Sequence, residues 1–182
     1  MTHDLLSELL AEPVSLTEVL HGRPPYLRIF VSSKMRNGVY VAERRLCARA
    51  IDKTGLFRSW IWENDANAGP YCSEAVCLRH AATVDGLILI VGDELTEITR
   101  KEYAAAHGRG APTFVFVDQR ETQNEQVRAF IQSVRDSPAV TKSFANLAEL
   151  EAAVLAAIGE MNSLSWRSQA HAAHQRRRGE AA

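Results

Sequence analysis

The run Leu87-Ile88-Leu89-Ile90-Val91 limits more than any other feature what this chain can fold into. An uninterrupted aliphatic run lacks the alternation of a strand with one wet face. It suits a strand covered on both faces, as in parallel sheets sandwiched between helices. Asp85 and Gly86 supply the turn that precedes it.

Strand and helix patterns alternate on either side of this run. Leu27 to Val31 is apolar and leads through Ser32 and Ser33 to a predicted helix over 39–53. There Val39, Ala42, Leu46 and Ala50 recur at three- and four-residue steps and leave Arg44, Arg45, Arg49 and Lys53 to water, with Gly55 as the stop. Phe57 to Trp62 reads as a second strand, 64–70 as a loop, and 73–84 as a helix with Ser73 as candidate cap. After the central strand come a helix over 99–107, an exit through Gly108 and Gly110, a strand over 113–117 ending at Asp118, and a helix over 121–135. A short edge strand over 140–144 precedes a last helix over 147–161, striped by Leu147, Leu150, Val154, Leu155 and Ile158. Repeated βαβ crossovers of this kind predict an α/β flavodoxin-like, three-layer sandwich around a five-stranded parallel sheet in the order 2-1-3-4-5.

The 182 residues, 46% hydrophobic and 24% charged, suit one globular domain, placed at 26–161. Before it, Leu5, Leu6, Leu9 and Leu10, then Val14, Leu16, Val19 and Leu20, read as a helical extension over 1–25. That extension either packs on its own domain or offers a surface for self-association or a signalling partner. Residues 162–182 turn polar and basic, with Arg176, Arg177 and Arg178, and read as a mobile tail. His171 and His174 there have no further ligands grouped near them, so no metal is expected.

A net charge of -1 gives no general attraction for nucleic acid or an anionic membrane. No run approaches the roughly 20 apolar residues of a membrane span. Cys47, Cys72 and Cys77 form neither a CxxC pair nor a zinc spacing, and their odd number argues against a disulfide framework. With Asp4 and Glu8 among the first leucines, a signal peptide is not expected, and the cytoplasm is the expected setting.

In the order 2-1-3-4-5 the chain reverses direction between strands one and three, and a crevice opens beyond their carboxyl ends. The residues delivered there are Ser32, Ser33 and Lys34, then Glu63 and Asp65, Gly92 and Asp93, and Asp118. Hydroxyls, small residues and free amides at the first turn suit a ribose or phosphate, although neither GxGxxG nor a Walker motif is present. Trp62, sharing a predicted strand face with Trp60, either stacks on a base or packs in the core. Glu102, just beyond the third strand, has two readings. Beside a bound ribose a carboxylate stabilises the oxocarbenium-like transition state of N-glycosidic cleavage or attacks the anomeric carbon. Alternatively, Thr99 and Glu102 have the spacing of a capping box, worth about 1 kcal/mol of helix stability.

The stretch IFVSSKM (29–35), the pair Glu43 and Arg44, the loop ENDANAGP (63–70), the strand VDGLILIVG (84–92) and TRKEYAAAHGRGAP (99–112) occur in this order. Together they resemble a family of bacterial TIR-like domains of unassigned function, a family similar to nucleoside deoxyribosyltransferases and NAD-cleaving TIR domains. The resemblance covers 27–117. It implies a flavodoxin-like fold, with Glu102 where those enzymes carry their catalytic glutamate and Ala106, Gly110 and Pro112 in register. It also implies that Ser32 and Ser33 line a nucleotide site and that Asp93 contacts a ribose hydroxyl. The expected site is thus Glu102 for chemistry and Ser32, Ser33, Lys34, Trp62, Asp65, Gly92 and Asp93 for binding, with no cofactor beyond NAD as candidate substrate. The function expected first is an N-glycosidase that cleaves NAD at the nicotinamide-ribose bond, as hydrolase or cyclase, in bacterial immune signalling. Deoxyribosyl transfer or hydrolysis, and a TIR-like interaction or nucleotide-sensing module without chemistry, are the alternatives; the resemblance also implies that such sites are completed between subunits of a homo-oligomer.

Overall fold

Strands and helices alternate along the chain as the sequence predicts. The computed structural model describes residues 27–35, 38–66, 72–136 and 141–179, with side chains described as far as 163. The extension expected over 1–25 and its partner surface lie outside the described residues. The elements are β1 (Leu27–Ser33), α1 (Val41–Lys53), β2 (Phe57–Trp60), α2 (Trp62–Asp65), α3 (Ser73–Thr83), β3 (Gly86–Val91), α4 (Glu97–Gly108), β4 (Thr113–Asp118), α5 (Glu125–Arg135), β5 (Thr141–Phe144) and α6 (Leu147–Gly179). Every strand pair is parallel and the order is β2-β1-β3-β4-β5, a flavodoxin-like α/β arrangement.

The two-residue period of the strands sorts their side chains into two layers. Ile29, Val31, Ile88, Ile90 and Phe116 meet Cys47 and Ile51 of α1 and Leu150, Val154 and Ile158 of α6. Phe30, Leu87, Leu89, Val91 and Val115 face the other way, onto Cys77 of α3, Ala106 of α4, and Val127 and Ile131 of α5. β3 lies between β1 and β4 and is buried at every residue. Each of its large aliphatic side chains contributes about 1.5–3 kcal/mol by leaving water, which is why this run governs the fold.

Several local expectations are corrected. The buried residues of α1 are Glu43, Arg44, Cys47, Ala48, Ala50 and Ile51, while Ala42 is exposed. A stripe counted from apolar residues alone sends Arg44 to water; the helix instead turns two ions inward. β2 stops at Trp60, because Trp62 opens the four-residue α2, so Trp60 and Trp62 do not share a strand face. Ser73 lies inside α3, whose cap position is Cys72 and has no side-chain hydrogen bond. α6 continues through the segment expected as a tail, as far as Gly179, and its buried stripe is Leu150, Val154, Ala157, Ile158 and Met161, with Leu147 and Leu155 exposed. Among the described residues no helix is long and apolar enough to cross a membrane.

Candidate functional site

The position of Glu102 is decided by where α4 begins. The helix starts at Glu97, two residues before the expected Thr99, and its cap is Thr96, whose hydroxyl oxygen accepts the Thr99 N–H at 3.3 Å. The glutamate of a capping box sits three residues after the cap, a place held here by Thr99. Glu102 is a further turn along and projects inward, 2% exposed. Its carboxylate accepts a hydrogen bond from the Ser32 hydroxyl at the end of β1, with the Cys77 thiol of α3 as a second donor beside it. The capping reading is therefore replaced by a contact across the layer between strand and helix. Burial pushes the Glu102 carboxyl up to about 7; the Ser32 and Cys77 donors and the more distant Arg44 charge pull it only part of the way back. Burial, followed by the neighbouring carboxylate, drives the Cys77 thiol well above the usual range.

Ser33, the next residue, does something different. Successive side chains of a strand point to opposite faces, so Ser32 looks toward α3 and α4, and Ser33 toward α1. There the Arg44 guanidinium, 1% exposed, donates to the Ser33 hydroxyl and to the carbonyls of Lys34 (3.2 Å) and Val39 (3.1 Å). Its Nε lies 2.9 Å from Oε1 of Glu63, and Nη2 donates to the same oxygen, a fork that ties α1 to α2. Burial raises the Glu63 carboxyl, but the Arg44 hydrogen bonds outweigh it and hold the group below its ordinary value. The two serines expected on one wall of a nucleotide pocket thus stand on separate sides of the sheet.

The rim above them is drawn together by Lys34, whose Nζ lies 3.2 Å from Asp93 and 3.0 Å from Glu94, bridging the turns after β1 and β3 across the switch point. Gly92 is needed at the end of β3, because a Cβ there would lie 1.8 Å from the Tyr40 hydroxyl oxygen. Asp118, at the end of β4 and 1% exposed, receives Arg120 through Nε at 2.9 Å, and Arg120 also reaches Glu43 at 2.6 Å. Burial would raise Asp118, yet the Arg120 hydrogen bonds keep it below its ordinary value.

No protein-family model and no curated protein sequence matches the chain. A solved structure described as a conserved protein from Enterococcus faecalis V583 aligns over 71% of this chain and 97% of its own, with 13% identity and a TM-score of 0.46.

Of the residues expected to bind a ligand, the structure brings Ser32, Lys34, Gly92 and Asp93 to the β1 and β3 rim, on which Glu102 borders. Ser33 is committed to Arg44. Asp65 is engaged by its own helix, accepting the Ile61 N–H at 2.8 Å. Trp62 is half-buried and packs, with Met35 and Ala66, on the apolar cluster that contains Cys77. Among the described residues no three His, Cys, Asp or Glu side chains gather as a metal set would require. A groove of about 510 Å³ between α4 and α5, lined by Arg100, Gln126, Ala129, Phe130 and Ser133, involves none of the rim residues.

Arg44, Cys77 and Tyr40 are the residues that sequence reasoning missed. A signal was present for Arg44: Arg44, Cys47, Ala48 and Ile51 fall on one helical face once an arginine is admitted to it, whereas Tyr40 precedes the helix with a left-handed backbone that no periodicity announces.

Proposed function

We propose that the protein is an N-glycosidase acting on a nucleotide of the NAD type, with Glu102 as the group that meets the ribosyl cation. The observation that carries this reading is the buried Ser32–Glu102 pair at the β1 and β3 switch point: a carboxylate with no cation in hydrogen-bond contact among the described residues, its acidity shifted toward neutral pH, held by a neutral hydroxyl. Perturbed acids of this kind concentrate where chemistry is done. The carbon–nitrogen bond breaks, its electron pair passes to the pyridinium nitrogen, and nicotinamide leaves neutral. Positive charge develops on the ribose C1 and its ring oxygen, where an ionised Glu102 either stabilises it or forms an ester that water later opens. Glu102 is 2% exposed, so a substrate meets its carboxylate only after neighbouring side chains are displaced. Ser32 acts as a positioning residue, donating to the carboxylate.

The test is release of nicotinamide from NAD by the purified chain, followed by mass spectrometry at a series of protein concentrations. Because the ionised form is the working one, kcat/KM rises with pH and levels off above about 7. Glu102→Gln loses at least about a thousandfold in rate. Absence of nicotinamide at every pH and concentration, or turnover surviving in Glu102→Gln, overturns the reading.

A further inference from the structure

Tyr40 combines two unfavourable features at one place. Its backbone lies in the left-handed region, φ 62° and ψ 15°, the only positive φ at a non-glycine residue among those described. For a bulky L-residue this costs about 1–3 kcal/mol. Its side chain is 6% exposed, yet the hydroxyl, which lies beside the Asp118 carboxylate, has no hydrogen bond of ordinary geometry among the described residues. A buried hydroxyl left in this way costs about 1–3 kcal/mol more. The oxygen lies flat on Gly92, at the carboxyl end of β3, where open α/β sheets take their ligands.

The charges around that oxygen restrict what can complete it. The carboxylates of Asp118, Glu121 and Asp93 all act on Tyr40. The nearby cation Arg120 is already shared between Asp118 and Glu43. A phosphate arriving here would meet like charge. An ammonium group would leave the phenolic proton unused, because it can only donate. A sugar hydroxyl has neither defect: it accepts from the phenol and hands its own proton to a carboxylate.

We propose that Tyr40 is a ligand-reading residue, its poorly satisfied hydroxyl donating to a ribose hydroxyl that enters at the β3 rim beside Asp118. This rests on the reading of a nucleotide ligand at the rim and deepens it. Tyr40 and Glu102 then grip the ligand from the two faces of the sheet, one reading the sugar and the other meeting the reacting carbon.

Tyr40→Phe keeps the ring over Gly92 and removes only the oxygen. With ADP-ribose as the probe, calorimetry is expected to give an affinity about fivefold to tenfold weaker than that of the unmutated chain. The melting temperature stays level or rises, because no satisfied bond is lost. Equal affinity, no binding of ADP-ribose to the unmutated chain, or a fall of several degrees in Tyr40→Phe each overturns the proposal; the last would mean that the hydroxyl has a partner in the resting protein. Ser33→Ala, whose hydroxyl is held by Arg44 and has no contact with the ligand, serves as the control and binds ADP-ribose as the unmutated chain does. Tyr40-dependent binding without any nicotinamide release defeats the glycosidase reading alone, whereas NAD turnover indifferent to Tyr40→Phe defeats the sugar contact alone.

Discussion

The two faces of the sheet at the end of β1 hold the same kinds of group and treat them in opposite ways. On one face Ser32 meets Glu102, and on the other Ser33 meets Arg44, which in turn grips Glu63. Both carboxylates feel burial, which disfavours their charge. Glu63 has a guanidinium in fork geometry and ends below its ordinary value; Glu102 has only neutral donors in contact and ends near 7. The lesson is that burial alone does not define a reactive carboxylate. What separates a structural ion pair from a group poised to change charge is whether a fixed cation is supplied with it.

The largest effect is expected where the fixed cation is removed. Arg44→Met leaves Glu63 without its guanidinium, and removes the donor to the Ser33 hydroxyl and to the carbonyls of Lys34 and Val39. Loss of one member of a buried pair costs about 3–5 kcal/mol. Urea unfolding should show that loss, and the double variant Arg44→Met, Glu63→Gln should recover a good part of it. Equal stability of Arg44→Met and the unmutated chain would erase the contrast between the faces.

Next in size is the pH dependence carried by Glu102. Its folded value is raised from 4.5 to about 7, so below pH 4.5 the group is protonated in both states and has no effect. Between these values the unfolded chain releases a proton that the folded chain keeps, and stability falls as pH rises. Above about 7 the loss is complete, on the order of 3 kcal/mol. Glu102→Gln removes this slope, so stability curves for the two proteins should diverge between pH 4.5 and 7. Parallel curves would show that Glu102 has an ordinary acidity and resembles Glu63 after all.

The smallest effect compares the serines directly. Ser32→Ala deletes its hydrogen bond to Glu102, and Ser33→Ala deletes the one it accepts from Arg44 and a long one to the Lys34 carbonyl, about 0.5–1.5 kcal/mol for each serine. Only Ser32→Ala removes a donor to the charged form of Glu102, and it should move the titration of that carboxyl upward, as read by carbon-13 shifts of labelled glutamate. A Glu102 titration that follows Ser33→Ala equally would mean that the faces communicate.

How much of this was legible beforehand depends on the range over which the information acts. The aliphatic run of β3 and the alternation around it are local patterns, and they suffice for the strand order. Glu102 was legible as a rim residue because it follows β3 closely in the chain. Its inward direction was not, since that depends on α4 starting two residues early at the Thr96 cap. The division of Ser32 from Ser33 follows from strand pleating, but what each meets does not. Arg44 is the plainest miss: a hydropathy stripe sends it to water, and Glu63, nineteen residues away, together with Ser33 and two backbone carbonyls, makes its burial tolerable.

By itself the sequence determined the layers, through the periods of its apolar residues and the strand that no half-wet sheet could accept. The tertiary structure alone decided which buried charge is neutralised, which is left near-neutral, and which hydroxyl is left poorly satisfied. The physical reason is that hydrophobic pattern is additive and short in range, whereas the state of a buried polar group is set by the few groups that chain folding brings within about 3 Å of it.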